Sequence, residues 1–134
     1  MKKRLLSFLI AVIAALLLLP LSGCGRYSSH YKAVAFVHTN TAKNAFMSFS
    51  SFEGSMVFQL KCGSADEKIY YSAKLETGSA EVYYDCDGTK TKLFSVNSGD
   101  DVSETDGVLQ TGTIYIIVET SEPCKNGRFD FNVT

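Results

Sequence analysis

The sequence predicts an all-β fold, a small antiparallel, jelly-roll-like β-sandwich of about eight short strands behind a cleaved signal peptide. Three observations carry this expectation. From residue 33 onward no window shows a helical period of apolar residues. Short alternating runs rich in Val, Ile, Tyr and Phe recur between turn residues, at the spacing of a sandwich or small barrel. The one long apolar run lies at the N-terminus, outside that pattern.

That run comes first in the chain. Lys2, Lys3 and Arg4 precede residues 5–19, which are apolar apart from Ser7, and together they read as the charged and hydrophobic regions of a secretion signal. The run is short of the roughly 20 apolar residues that a spanning helix needs. A chain of 134 residues has room for one domain, whose core could not hide a helix apolar all round. Residues 1–23 are therefore expected as signal, 24–32 as a polar tether carrying Cys24, and 33–134 as the sandwich domain. Losing three of thirteen basic residues leaves ten against fourteen acidic ones, so the net charge falls from -1 to about -4. An acidic domain without a basic stripe is a poor fit to nucleic acid, which is therefore not an expected partner.

Leu21-Ser22-Gly23-Cys24 resembles the lipobox of bacterial lipoproteins. The resemblance implies cleavage before Cys24 and a diacylglyceryl thioether on its sulfur. It places the chain on the extracytoplasmic face of a bacterial membrane, with the bilayer as a partner through the anchor. Two or more acyl chains hold stably where one would be reversible.

Strands are predicted over residues 33–38, 45–52, 55–62, 68–75, 81–86, 92–96, 113–119 and 128–133. Met56, Phe58, Leu60 and Cys62 alternate with Val57, Gln59 and Lys61, so the first set should point inward. Phe129, Phe131 and Val133 alternate with Asp130 and Asn132 in the same way. Residues 114–118 are apolar on both faces, as expected of a central, doubly covered strand. Residues 68–86 read as a hairpin turning at Glu76-Thr77-Gly78-Ser79, with Lys74 opposite Glu81. In that arrangement Ile69, Tyr71, Ala73 and Leu75 face inward with Ala80, Val82, Tyr84 and Cys86. Tyr70 and Tyr83 then lie on the outer face as a candidate platform for a glycan or a peptide. The commoner reading of such rings is that they cover a second packed surface or simply sit on the strand as good β-formers.

The pattern over residues 55–133, with "DCDG" at a turn, "GTIYIIVET" and "NGRFDFNV", resembles the pre-peptidase C-terminal type of bacterial β-sandwich. It departs from that type at Thr113-Ile114-Tyr115, where an Ile precedes the Tyr. The resemblance implies a non-catalytic accessory module concerned with binding or secretion.

With Cys24 assigned to lipid, Cys62, Cys86 and Cys124 remain, and an odd number allows one internal disulfide at most. If successive strands run up and down, all three fall at one pole. Cys62 with Cys86 is the favoured pair, leaving Cys124 as alternative partner or free thiol. Asp100, Asp101, Glu104 and Asp106 form one acidic stretch that could offer calcium its oxygens, with Asp85 and Asp87 near enough to help if the loops meet. A solvated acidic loop is the commoner explanation of such a stretch, so the cofactor expectation is none, with calcium as the alternative. Catalysis finds little support: no Ser sits in a nucleophile elbow, and the histidines, His30 and His38, lie near the tether and the first strand. The sequence thus points to a lipid-anchored, non-catalytic binding or envelope-accessory module. A structural subunit that binds another envelope protein is the second reading, and an extracellular hydrolase the third.

Overall fold

The computed structural model describes residues 27–134. The expected signal segment and lipobox, with Cys24, lie outside the described residues. Nine antiparallel strands form: β1 (His30–Val34), β2 (Val37–Asn40), β3 (Asn44–Cys62), β4 (Ile69–Thr77), β5 (Ser79–Asp85), β6 (Thr91–Asn97), β7 (Asp101–Asp106), β8 (Gly112–Glu119) and β9 (Cys124–Val133). They follow the hydrogen-bonded order β6-β5-β8-β3-β9-β4-β7, with β1 and β2 also paired to β3.

This ladder becomes a sandwich because β3 belongs to both layers. Its first half pairs with β2 and β9, its second half with β8. Gly54, with φ +124, sits between the two halves. Thr120 clamps that corner, its hydroxyl accepting from the Gly54 N–H at 2.9 Å and its own N–H donating to the Gly54 carbonyl at 2.8 Å. We call β2, the first half of β3, β9, β4 and β7 the first sheet, and the second half of β3, β8, β5 and β6 the second.

Period-two alternation fills the space between the sheets. Phe58, Leu60, Val82, Val96, Ile114, Ile116 and Val118 from the second sheet meet Met47, Ile69, Leu75 and Phe129 from the first, all essentially fully buried. Rings bridge the layers, Phe94 lying parallel to Tyr71 at 4.1 Å and Phe58 tilted against Phe131 at 6.2 Å. The expected inward faces of residues 56–62 and 128–133 are observed, and β8 is central as expected.

Hydrogen bonds join the two layers along both sides. On one, the Asn40 side chain bonds both the N–H and the carbonyl of Gln59, and the Lys61 N–H reaches the Ala42 carbonyl at 2.7 Å. On the other, the turn between β6 and β7 bonds Leu75 through Gly99 and Asp100.

Five expectations are corrected. Residues 45–52 and 55–62 are one bent strand, since a glycine corner bends the chain without ending the ladder. Residues 101–106, read as a loop, form β7, because pairing with β4 supplies the order that their composition does not. The hairpin does not form: β4 pairs with β7 and β9, β5 with β6 and β8, and the chain crosses between sheets at Gly78. Lys74 therefore lies opposite Arg128 and Asp101, and Glu81 opposite Ser95 and Glu119. Two apolar stripes that alternate alike can sit side by side or face to face, and here they face each other across the core. Finally, the domain begins before residue 33, and residues 33–38 are not one strand but the end of β1, a turn at Ala35 and Phe36, and the start of β2. His30–Val34 is paired to β3, and Tyr27 packs on Tyr115 with ring centroids 5.4 Å apart.

Candidate functional site

The outer face of the first sheet carries side chains aligned in rows across its strands. Asn44, Asn132, Tyr70 and Thr105 form one row, Phe46, Asp130, Ser72 and Ser103 the next, and Ser48, Arg128, Lys74 and Asp101 a third. A groove of about 560 Å³ runs over the first two rows. A second hollow of about 460 Å³, bounded by Lys74, Glu76, Asp100, Asn126 and Arg128, continues along β4 and β9.

Tyr70 projects from this face and is 51% exposed, while its neighbour Tyr71 is buried below. The Tyr71 hydroxyl donates to Glu104 Oε2 at 3.3 Å, and burial, with the Glu104 charge beside it, pushes that phenol up from its usual range. It remains a donor at any ordinary pH. Phe46 lies two strands from Tyr70, under the Arg128 guanidinium at 4.7 Å from its ring centre. Arg128 Nε in turn donates to Asp130 Oδ2 at 2.9 Å. Asn132 donates its side-chain amide to Asn44. The face thus offers one open aromatic ring among amides, hydroxyls and a carboxylate, the combination that binds an extended, hydroxyl-rich molecule by stacking and hydrogen bonding together.

Tyr83, the other predicted platform residue, is not part of this groove. It lies on β5, on the outer face of the second sheet, and its ring is covered by Lys90 Nζ at 4.4 Å. Its hydroxyl donates to Glu81, which holds the phenol up and the Glu81 carboxyl down. Because β4 and β5 belong to different sheets, Tyr70 and Tyr83 cannot form one platform. Sequence reasoning missed Phe46, Asn44, Asp130 and Asn132. Strand parity marks them as outward-facing, but their proximity depends on pairings up to 88 residues apart.

The acidic stretch does not converge. As β7, it puts Asp101 on the outer face and Glu104 and Asp106 on the other, in register with Lys74, Tyr71 and Ile69. Asp100 instead accepts from the Asn97 N–H at 2.7 Å, closing the preceding turn. Among the described residues no group of three or more His, Cys, Asp and Glu could hold a metal ion. Asp85 is buried and accepts from the Gly88 N–H at 2.7 Å and from the Tyr27 hydroxyl at 2.6 Å, while Asp87 accepts from the Thr89 N–H at 2.9 Å. Asp85 and Asp87 serve their own turn rather than a shared cation. His30 bonds Ser28, and His38 stacks on Phe36.

Cys62, Cys86 and Cys124 are free thiols. The expected Cys62 to Cys86 bridge is not formed, because β8 lies between β3 and β5. Two strand spacings separate such neighbours by about 9 to 10 Å, beyond the Cα span of a disulfide. Cys124 is at the opposite pole, its Sγ donating to the Ser79 carbonyl at 3.3 Å. Burial raises the Cys62 and Cys124 thiols above their usual range, so little thiolate is present near neutral pH. Of these three, Cys86, which is only half-buried, is the one expected to alkylate in the native protein. Peptide mass mapping after iodoacetamide treatment, with and without urea, checks this, and Cys62 or Cys124 labelling as fast as Cys86 without urea would refute it.

No family model matches the chain, and no curated protein matches it. Among solved structures it is similar to a CBM4 structure, at 11% identity and a TM-score of 0.42, covering 79% of this chain and 76% of that one. It is also similar to a mutant of the family 29 carbohydrate-binding module CBM29-2 complexed with mannohexaose, at 13% identity and a TM-score of 0.40, covering 80% and 91%. A third is the CENP-C cupin domain of Drosophila melanogaster, at 11% identity and a TM-score of 0.33, covering 80% and 71%. At TM-scores below 0.5 these likenesses say nothing about a ligand for this chain.

Proposed function

We propose that the chain is a non-catalytic binding module, held by a lipid on Cys24 at the extracytoplasmic face of a bacterial membrane, which binds an extended glycan along the outer face of the first sheet. The observation that carries the glycan reading is the placement of the exposed Tyr70 ring in register with Asn132 and Asn44, beside Asp130, Ser72 and Ser103. A sugar presents an apolar ring face to stack and hydroxyls to bond, and this face answers both. The carboxylates around the groove sit on an open surface, which supports binding rather than acid-base catalysis, where a carboxyl must be enclosed to change its acidity. The lipid reading is supported by the charged start, the length of the apolar run and the box ending at Cys24.

Calorimetric titration with a panel of linear neutral and acidic oligosaccharides tests the glycan reading. Tyr70→Ala is expected to weaken binding roughly five- to tenfold, the loss of about 1 kcal/mol of stacking. Tyr83→Ala should bind as the parent does, since Lys90 already occupies that ring. Unchanged affinity in Tyr70→Ala, or binding of peptides alone, would refute it. The lipid reading is tested separately by mass spectrometry of the N-terminal peptide from membrane-extracted protein.

A further inference from the structure

We propose that the outer face of the second sheet lies against the phospholipid headgroups of the bilayer, so that the groove on the first sheet points away from it. This rests on the lipid anchor proposed above and adds an orientation that the anchor alone does not impose.

A lipoprotein on a long loose tether would tumble. Here the free chain is too short for that. Tyr27 is fastened to the domain at two points: its hydroxyl donates to buried Asp85 at 2.6 Å, and its ring packs on Tyr115 at 5.4 Å. Both partners belong to the second sheet, Tyr115 on β8 and Asp85 at the end of β5. The chain stays attached beyond Tyr27, with the Ser29 hydroxyl accepting from the Val57 N–H at 2.9 Å and β1 running on along β3. Only Gly25 and Arg26 separate Tyr27 from Cys24. Three residue steps reach about 11 Å at full extension, less than the thickness of a two-layer sandwich with its side chains. The anchored sulfur must therefore stay near the face on which Tyr27 sits.

Charge favours the same side. The outer face of the second sheet carries Lys61, Lys90 and Lys92. Lys92 and Lys90 neutralise Glu81 and Glu119 at 3.3 and 2.5 Å, while Lys61 Nζ donates to the Thr113 hydroxyl at 2.7 Å. The acidic residues Asp101, Glu104 and Asp106 lie on β7, the edge of the first sheet, together with Asp100 just before it. With three lysines against two glutamates, the face that carries Lys61 meets an anionic leaflet without repulsion, whereas the acidic β7 edge would be repelled by it.

The test uses the acylated full-length mature protein, extracted from membranes and reconstituted into vesicles of phosphatidylethanolamine and phosphatidylglycerol with some headgroup-nitroxide lipid. A fluorophore is placed through Gln59→Cys on the second sheet or Ser103→Cys on the first, with Cys86→Ser in both. Quenching at position 59 is expected to be several-fold stronger than at position 103. Inserting about twenty Gly and Ser residues after Gly25, a coil of roughly 25 Å, should remove the difference without changing the Tm. Equal quenching at the two positions, or stronger quenching at 103, in protein whose N-terminal peptide carries the lipid mass would overturn the orientation alone. An N-terminal peptide without lipid would overturn the anchor and the orientation with it.

Discussion

Gly54→Ala is expected to cost about 3 kcal/mol or more, a fall in Tm of roughly 15 °C for a domain of this size. Gly54 holds φ at +124, a region that side-chain-bearing residues rarely enter. A Cβ there would also stand 2.2 Å from the His30 carbonyl oxygen and 2.8 Å from the Tyr31 Cα. Neither atom can retreat, because β1 is laddered to β3 at this point, with Tyr31 opposite Gly54. Gly112 separates the two causes. Its φ is +126, but nothing lies within 4 Å of the position its Cβ would take. Gly112→Ala should therefore show backbone strain alone, about 1 to 3 kcal/mol, and Gly54→Ala should clearly exceed it. Thermal and urea unfolding of both variants measures this. Equal losses would mean that the approach of β1 to the corner is looser than the structure has it.

Phe52→Ala should lose about 3 to 5 kcal/mol, a large share of the 5 to 15 kcal/mol by which domains are stable. Phe52 is fully buried two residues before the corner. Its ring touches those of Tyr31, Phe36 and Phe49, at centroid distances of 5.4, 5.7 and 5.3 Å. Removing it leaves a cavity that three other rings line, and rings fixed in strands collapse poorly into such a space. Phe52→Leu keeps most of the volume and should cost about 1 to 2 kcal/mol. A shift in the urea midpoint with unchanged slope is the expected signature. A loss below about 1 kcal/mol in the Ala variant would show that this cluster is peripheral to the core. The two substitutions touch one corner, so their effects should not add.

Much of the fold was legible because strands announce themselves by period two: seven of the eight predicted segments lie on observed strands to within a residue, and the eighth, residues 33–38, spans the end of β1, a turn at Ala35 and Phe36, and the start of β2. β7 was not, since Asp101–Asp106 contains one apolar residue, Val102, and an edge strand draws its order from the neighbour it pairs with. The candidate site was half legible. Tyr70 could be placed on an outer face from the alternation around it, and it is there. Its companions Asn132, Asp130 and Phe46 alternate equally clearly, but nothing local says that residues 44–52, 128–133 and 69–75 lie side by side. The cysteines misled for a related reason: their pairing assumes that successive strands lie side by side, whereas the chain crosses between sheets at Gly78 and β8 lies between β3 and β5.

By itself the sequence determined the all-β class and, strand by strand, which side chains turn inward, because alternation is a property of an extended backbone whatever it pairs with. Only the tertiary structure decided which inward stripes are neighbours in a sheet and which are opposed across the core. That choice depends on where the chain can bend. The corner at Gly54 sends β3 from one sheet to the other, the crossing at Gly78 takes β4 and β5 apart, and together they leave Tyr70 beside Asn132 and Tyr83 on the far side of the molecule.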